Sequence, residues 1–309
     1  MLWAEGPPGD ARAKITKYKE AAAAASRPVA APMAPVAPPD RNDLLDALEA
    51  FTAAGAENTT DEAFRLEHIE LLTLLGYHDL AAEQWERVVK ERPTDGAAWL
   101  ALGRAWAASG PAGHKRGDEA LQQAVKLLGD GPDKAEAWAI RGWMTHQRGL
   151  HEAARDAYAR ALELAPGQVR AVIGAATLDA RAGKITEASA ALDGLKQAAQ
   201  PYDVETRLML RRALHDFEAG RGVVPDEAGA HAAYSRLLYR AGRLPDAALA
   251  ARRASDLNPG DVESLNFLAS ILMQMNQTEQ AAQVLEKSLA ARPDQPGVAE
   301  TLKRLRAGR

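Results

Sequence analysis

Cysteine is absent from the 309 residues, which excludes disulfides, thiolate zinc sites, iron–sulfur clusters and thiol nucleophiles together. Aromatic residues are scarce at 5%, and a β-sandwich, which draws on Val, Ile, Thr and Tyr, is disfavoured with them. No apolar run approaches the roughly 20 residues that span a bilayer as a helix, so no direct membrane insertion by this chain is expected. The opening MLWAEGPPGD lacks the basic start and apolar stretch of a secretion signal. As written the chain is expected in the cytoplasm, or in the periplasm if a signal or anchor ahead of it has been removed. The formal charge of −4 is small for this length. A protein devoted to phosphate backbones would be far more basic, so no nucleic-acid partner is expected.

What is abundant is alanine, in a chain 47% hydrophobic, and this suits closely packed helices. Residues 11–26 (ARAKITKYKEAAAAAS) have helical propensity but little to bury. Residues 27–40 (RPVAAPMAPVAPPD) form an Ala/Pro tether, semi-rigid because each proline removes a donor and extends its neighbour. Residues 1–40 together read as a flexible arm. In residues 41–61, Leu44, Leu45, Leu48 and Phe51 recur at helical spacing and predict a leading amphipathic helix that docks on the helices C-terminal to it. The sequon at Asn58 reads as a helix start, with Thr59 and Glu62 spaced as a capping box.

From Thr60 onward the sequence repeats itself. Gly76 to Gly110, Gly149 to Gly183, Pro132 to Pro166, Pro259 to Pro293 and Ala247 to Ala281 are each 34 positions apart. The best copy, Ala135–Gln168, carries Trp138, Gly142, Gly149, Ala154, Tyr158, Ala161 and Pro166. This period and these residues resemble the tetratricopeptide repeat, a helix–turn–helix unit. The resemblance implies an all-α fold, a right-handed α-solenoid of such repeats ending in a capping helix. In that register the repeats are 62–95, 96–134 (with an insertion), 135–168, 169–202, 228–261 and 262–295, and residues 296–309 are the cap.

The residue types have physical reasons of their own. Trp99, Leu102 and Trp106 share one stripe of a first helix, as do Leu265, Leu268 and Leu272. Gly103, Gly142, Ala154 and Ala247 are small where two helices would cross, and Tyr158, Trp85 and Leu285 would fill the gap to the next repeat. Prolines 93, 132, 166, 259 and 293 are expected to end second helices. The pattern breaks at Gly110–Asp118 (GPAGHKRGD), which adds five residues, and at residues 203–227, an extra helix and loop too short for a repeat. A joint between two sub-stacks is expected there.

No catalytic constellation emerges. The seven histidines lack the i, i+4 spacing of a metal site and there is no H-E-x-x-H. The glycine-rich GPAGHKRGD lacks the phosphate-loop pattern, and no G-x-S-x-G is present. No metal, no cofactor and no enzymatic activity are expected. The family resemblance implies instead that positions 2, 5, 9 and 12 of each repeat line a concave groove. Carried onto this chain, the residues expected to contact a partner are Arg104, Trp143, His146, Arg170, Thr177, Arg236, Tyr239 and Asn266, with Arg181 and Arg240 at the margin. Trp138 is expected in the core and Trp143, five positions on, in the groove. Arginine and aromatics are the side chains that dominate binding hot spots, and an acidic or acidic–apolar protein or peptide is their complement. A chaperone-tail clamp is not expected, since Leu66, Glu70, Leu100, Arg104, Ala139 and Trp143 stand where it needs Lys, Arg and Asn.

The reading is thus a bacterial protein-interaction scaffold or assembly factor holding a partner peptide or subunit in the groove. Two others stand beside it. One is a structural subunit packed permanently in a larger complex through its arm and convex face. The other is the repeat portion of a larger kinase, polysaccharide-secretion or cytochrome-maturation protein.

Overall fold

The computed structural model describes residues 41–56, 61–195, 204–220 and 222–307. The expected arm, residues 1–40, and the sequon at Asn58 lie outside them. Among the described residues there are fifteen α-helices and no strand, an all-α helical-repeat fold. A single helix, α1 (Arg41–Ala53), comes first. Antiparallel pairs come next: α2 (Glu62–Leu75) with α3 (His78–Glu91), α4 (Gly96–Ala108) with α5 (His114–Leu127), α6 (Pro132–Gln147) with α7 (His151–Leu164), and α8 (Val169–Arg181) with α9 (Ile185–Asp193). After α10 (Val204–Ala219), the pairs α11 (Ala228–Arg240) with α12 (Leu244–Leu257) and α13 (Val262–Gln274) with α14 (Thr278–Ala291) precede the terminal α15 (Pro296–Ala307).

The period of the glycines has a backbone cause. Gly76, Gly110, Gly149, Gly183 and Gly242 stand between the two helices of their pairs with φ from +73° to +97°, a region that side-chain-bearing residues avoid. In the last pair Asn276 takes that place at φ 57°, as asparagine tolerates. Aspartates start three of the first helices. Asp95 Oδ1 accepts from the N–H groups of Ala97 and Ala98 at 3.0 and 3.1 Å, and Asp261 Oδ1 accepts from Glu263 at 3.1 Å. At α2 the N-cap is Asp61, accepting from Phe64 N–H at 3.2 Å. Thr59, where a cap is expected, lies outside the described residues; the Asp61 carboxylate also suits the positive end of the helix.

Pro93, Pro166, Pro259 and Pro293 each come two residues after a second helix, as a ring that blocks helix continuation should. Pro132 does the opposite of what was expected and opens α6. The first helical position needs no N–H, so proline is at home there.

Contacts divide the chain into two compact units, Met1–Arg170 and Ala171–Arg309. In the first, α1 docks on α2 through Phe51, fully buried, whose ring lies 5.1 Å from that of Phe64. Ile69, Leu72, Val88, Leu102 and Trp106 continue the core, and Leu100, Leu121, Ile140 and Met144 extend it. Helices cross closely at glycine: a Cβ on Gly103 would lie 2.4 Å from Leu121 Cγ.

In the second unit the extra helix α10 does not interrupt the packing. Helix α9 packs directly on α11, and α10 lies beside them, anchored by buried Leu210, Leu214 and Phe217. Residues 204–220 and 222–227, where a joint is expected, thus lie within the second unit, which begins at Ala171. The physical reason is amphipathicity: Leu210, Leu214 and Phe217 of α10 are buried against the neighbouring helices while Arg211, Arg212 and Asp216 stay exposed. Arg243 secures α10 by donating to Glu218 at 2.8 and 2.9 Å, and Tyr234 also bonds to Glu218. Burial and that carboxylate push the Tyr234 hydroxyl well above the ordinary tyrosine range. At the end of the unit, Leu302 of α15 covers Ala269, Ala282 and Leu285.

Candidate functional site

The residues expected to meet a partner fall in both units. In the first, Arg104 is on α4, Trp143 and His146 are on α6, and Arg170 is at the start of α8. Arg104 is exposed but already answered: its Nε donates to Glu136 Oε1 at 2.8 Å, and a second contact joins Nη2 to Oε2. Trp143 is half-buried on the cluster of Leu100, Leu121, Ile140 and Met144. The guanidinium of Arg170 lies 5.5 Å from its ring centroid. Arg170 is exposed, and no carboxylate among the described residues pairs with it. Stacking on tryptophan holds the planar cation while its N–H edge stays available. His146 is half-buried, with Nδ1 3.4 Å from the Tyr158 hydroxyl and its ring 5.4 Å from that of His151.

Trp138 does not enter the core as expected. It is half-buried, with the guanidiniums of Arg141 and Arg160 at 4.8 and 4.6 Å from its ring. The inward positions around it are taken by Ala135, Ala137 and Ala139, each fully buried. Close helix packing through alanine leaves no room for an indole, which moves to the edge and carries cations.

In the second unit Thr177 is 1% exposed, and its hydroxyl donates to the Ile173 carbonyl at 2.7 Å. It is buried in the described fold, at a position expected to line the groove. Asn266 is also committed: Nδ2 donates to Gln295 Oε1 at 2.9 Å, and Ser288 Oγ donates to Asn266 Oδ1 at 2.7 Å. It ties the last pair to the segment that leads into α15. Arg236 reaches α9, donating from Nε to Ser189 Oγ at 3.2 Å and lying 3.3 Å from Asp193; Arg240 pairs with the same carboxylate. Arg181 lies 3.5 Å from Asp216. Tyr239 meets the Phe267 ring at 5.3 Å and accepts from Gln274 Nε2 at 2.6 Å. A groove of about 360 Å³ lies between α12 and α14, floored by Leu265, Leu268 and Val284 and rimmed by Arg252, Asp256 and Lys287.

One residue was passed over in the sequence. His114, inside the glycine-rich insertion, is 5% exposed and meets Trp143 at 5.8 Å. Burial, and then the charge of Arg148, hold its imidazole below the ordinary histidine value. The signal was Gly113 directly before it, which a turn tight enough to bury the next side chain requires. Among the described residues, no group of three His, Asp or Glu could hold a metal ion, and no helix is long and apolar enough to cross a membrane.

Family models described as tetratricopeptide repeat match residues 75–110, 113–169 and 210–262 in one case and 238–305 in another. No curated protein matches the sequence. Among solved structures the chain is similar to a tetratricopeptide repeat protein of Parabacteroides merdae ATCC 43184. That likeness has 14% identity and a TM-score of 0.41, and covers 95% of this chain and 99% of the other. It is similar also to the APC/C hetero-tetramer Cut9–Hcn1, at 18% identity, TM-score 0.36, 86% of this chain and 53% of that one. YrrB, a repeat protein with an unusual peptide-binding site, shares 15% identity at TM-score 0.33 over 72% of this chain and 99% of its own. The chain spans about half the length of the Cut9–Hcn1 chain it matches.

Proposed function

The chain belongs to the tetratricopeptide-repeat family, and we propose that it is a non-catalytic interaction scaffold that binds an acidic or acidic–apolar peptide on its first helices. Repeats of this family are generally non-catalytic interaction modules. The observation that carries the chemistry is Arg170, exposed, paired with no carboxylate among the described residues, and laid over half-buried Trp143. An anion meeting that guanidinium finds it already oriented, and an apolar neighbour finds indole surface beside it, so little ordering entropy is lost on binding. Arg236 and Tyr239 are the corresponding contacts in the second unit, each already held by a neighbour that a partner would have to replace.

The test is binding of an array of acidic–apolar peptides to the purified chain. Arg170→Ala should weaken the bound peptides roughly tenfold, about 1.4 kcal/mol, with the melting temperature nearly unchanged. Arg104→Ala should weaken them less, because Glu136 already neutralises Arg104. Equal binding by wild type and Arg170→Ala would refute this face. A second reading, a subunit held in a complex through its second helices, is favoured by Leu249, 68% exposed on α12. That reading predicts a stable complex unaffected by either substitution.

A further inference from the structure

His114 is the first residue of α5, a helix of 14 residues. Gly113 determines its burial. A Cβ there would lie 2.2 Å from Ser109 Oγ and 2.3 Å from the Trp106 carbonyl oxygen, so the chain turns hard against the end of α4 and sends the next side chain inward. The imidazole presents itself to Trp143 with the ring planes at 64°. Its Nε2 is buried without a hydrogen-bond partner among the described residues.

An imidazolium in this place is disfavoured three times over. It would be a buried charge with no acceptor. It would stand at the positive end of a helix. It would also face Arg148, at the end of α6. The surrounding carboxylates offer no relief. On its own helix Asp118 is held by Arg141 of α6 at 2.8 Å, and Glu119 is exposed. On α6, Glu136 is held by Arg104 of α4 and Asp133 is exposed at the first turn. Asp95 is spent capping α4. The nearby cations Lys115, Arg116 and Arg170 add like charge, with Arg116 over Trp106 and Arg170 over Trp143.

We propose that His114 is a pH-sensitive latch, holding Trp143 and the overlying Arg170 in place while its imidazole is neutral and releasing them once the ring takes a proton. The latch regulates the Trp143–Arg170 face and rests on the peptide-binding reading of it. A proton arriving at Nε2 leaves the charged ring two ways out, both of which free Trp143: leaving its pocket, or opening the first turn of α5.

The experiment is a titration of the full chain by 1H–15N NMR, from about pH 8 to about pH 4.5, with no partner present. The expected result is a His114 ring that titrates below the ordinary value of about 6.5, with the Trp143 indole N–H signal shifting at the same midpoint. In His114→Phe, which keeps a ring in the pocket, the Trp143 signal should stay still over that range. If this variant does not fold, the coincidence of the two midpoints in the wild type still decides. A His114 ring titrating at about 6.5 or above, or a Trp143 signal indifferent to it, overturns the latch. Failure of the peptide array at neutral pH would instead strike the proposed face, so the two failures are distinct.

Discussion

Gly142 lies so close to Tyr158 that a Cβ on the glycine would sit 2.6 Å from the ring Cδ1. The ring cannot retreat, because Tyr158 is fully buried and its hydroxyl lies 3.4 Å from His146 Nδ1. Helix propensity alone favours alanine over glycine by about 1 kcal/mol, while overpacking a rigid core costs about 1–3 kcal/mol. Gly142→Ala should therefore destabilise the protein by roughly 1 kcal/mol in urea unfolding, and adding Tyr158→Leu should relieve part of the loss. A gain in stability from Gly142→Ala alone would show that α6 and α7 separate easily.

Phe217 anchors the extra helix. Its ring packs against Gly183 and Gly222, where an added Cβ would lie 3.1 and 2.0 Å away, and it meets Tyr234 at 6.4 Å. Phe217→Ala should cost about 3 kcal/mol through lost burial and a cavity. Since α9 packs on α11 without α10, hydrogen exchange in this variant should rise across Val204–Ala219 while α9 and α11 keep their protection. If all three helices open together, α10 is a link in the stack and not an appendage to it.

Two tryptophans expected to differ in what they contribute to the fold should contribute alike. Trp138 is clasped by Arg141 and Arg160, and Trp143 by His114 and Arg170, and both are half-buried. Neither has the full burial that makes a tryptophan truncation cost about 3–5 kcal/mol. Trp138→Ala and Trp143→Ala should each lose roughly 1–3 kcal/mol in chemical denaturation, and of the two only Trp143→Ala should weaken an acidic peptide. A loss above about 4 kcal/mol for Trp138→Ala would return that ring to the core.

Acidification should weaken the fold through His114. Burial lowers the folded-state value of this imidazole, so the unfolded chain binds the proton more readily than the native one. The stabilisation is complete above the unfolded value of about 6.5 and declines as the pH falls below it, until the native ring also charges. Urea midpoints measured from about pH 8 to about pH 5.5 should fall more steeply for the wild type than for His114→Phe. Parallel slopes for the two proteins would remove His114 from the acid response.

The fold class was legible because its causes are local. A turn that needs positive φ puts glycine at 76, 110, 149, 183 and 242, and chain geometry converts the length of two helices and their turns into a fixed period. A ring that cannot continue a helix marks the ends at 93, 166, 259 and 293. Such requirements act within a few residues of one another, and one sequence displays them. At Pro132 the same chemistry has two outcomes, a helix end or a helix start, and only the packed structure chose between them.

The candidate site was legible only as a set of positions. The sequence by itself determined which residues stand on first helices, because the repeat assigns them there. Which of them remain free was decided in three dimensions. Arg104 found Glu136, Arg236 found Asp193, and Asn266 found Gln295 across 32, 43 and 29 positions of chain, and Thr177 turned inward to its own helix. Arg170 found the face of Trp143 instead of a carboxylate. Hydrogen bonds and ion pairs reach only about 3–4 Å, so they depend on how helices settle side by side, and that distance is not written in spacing along the chain.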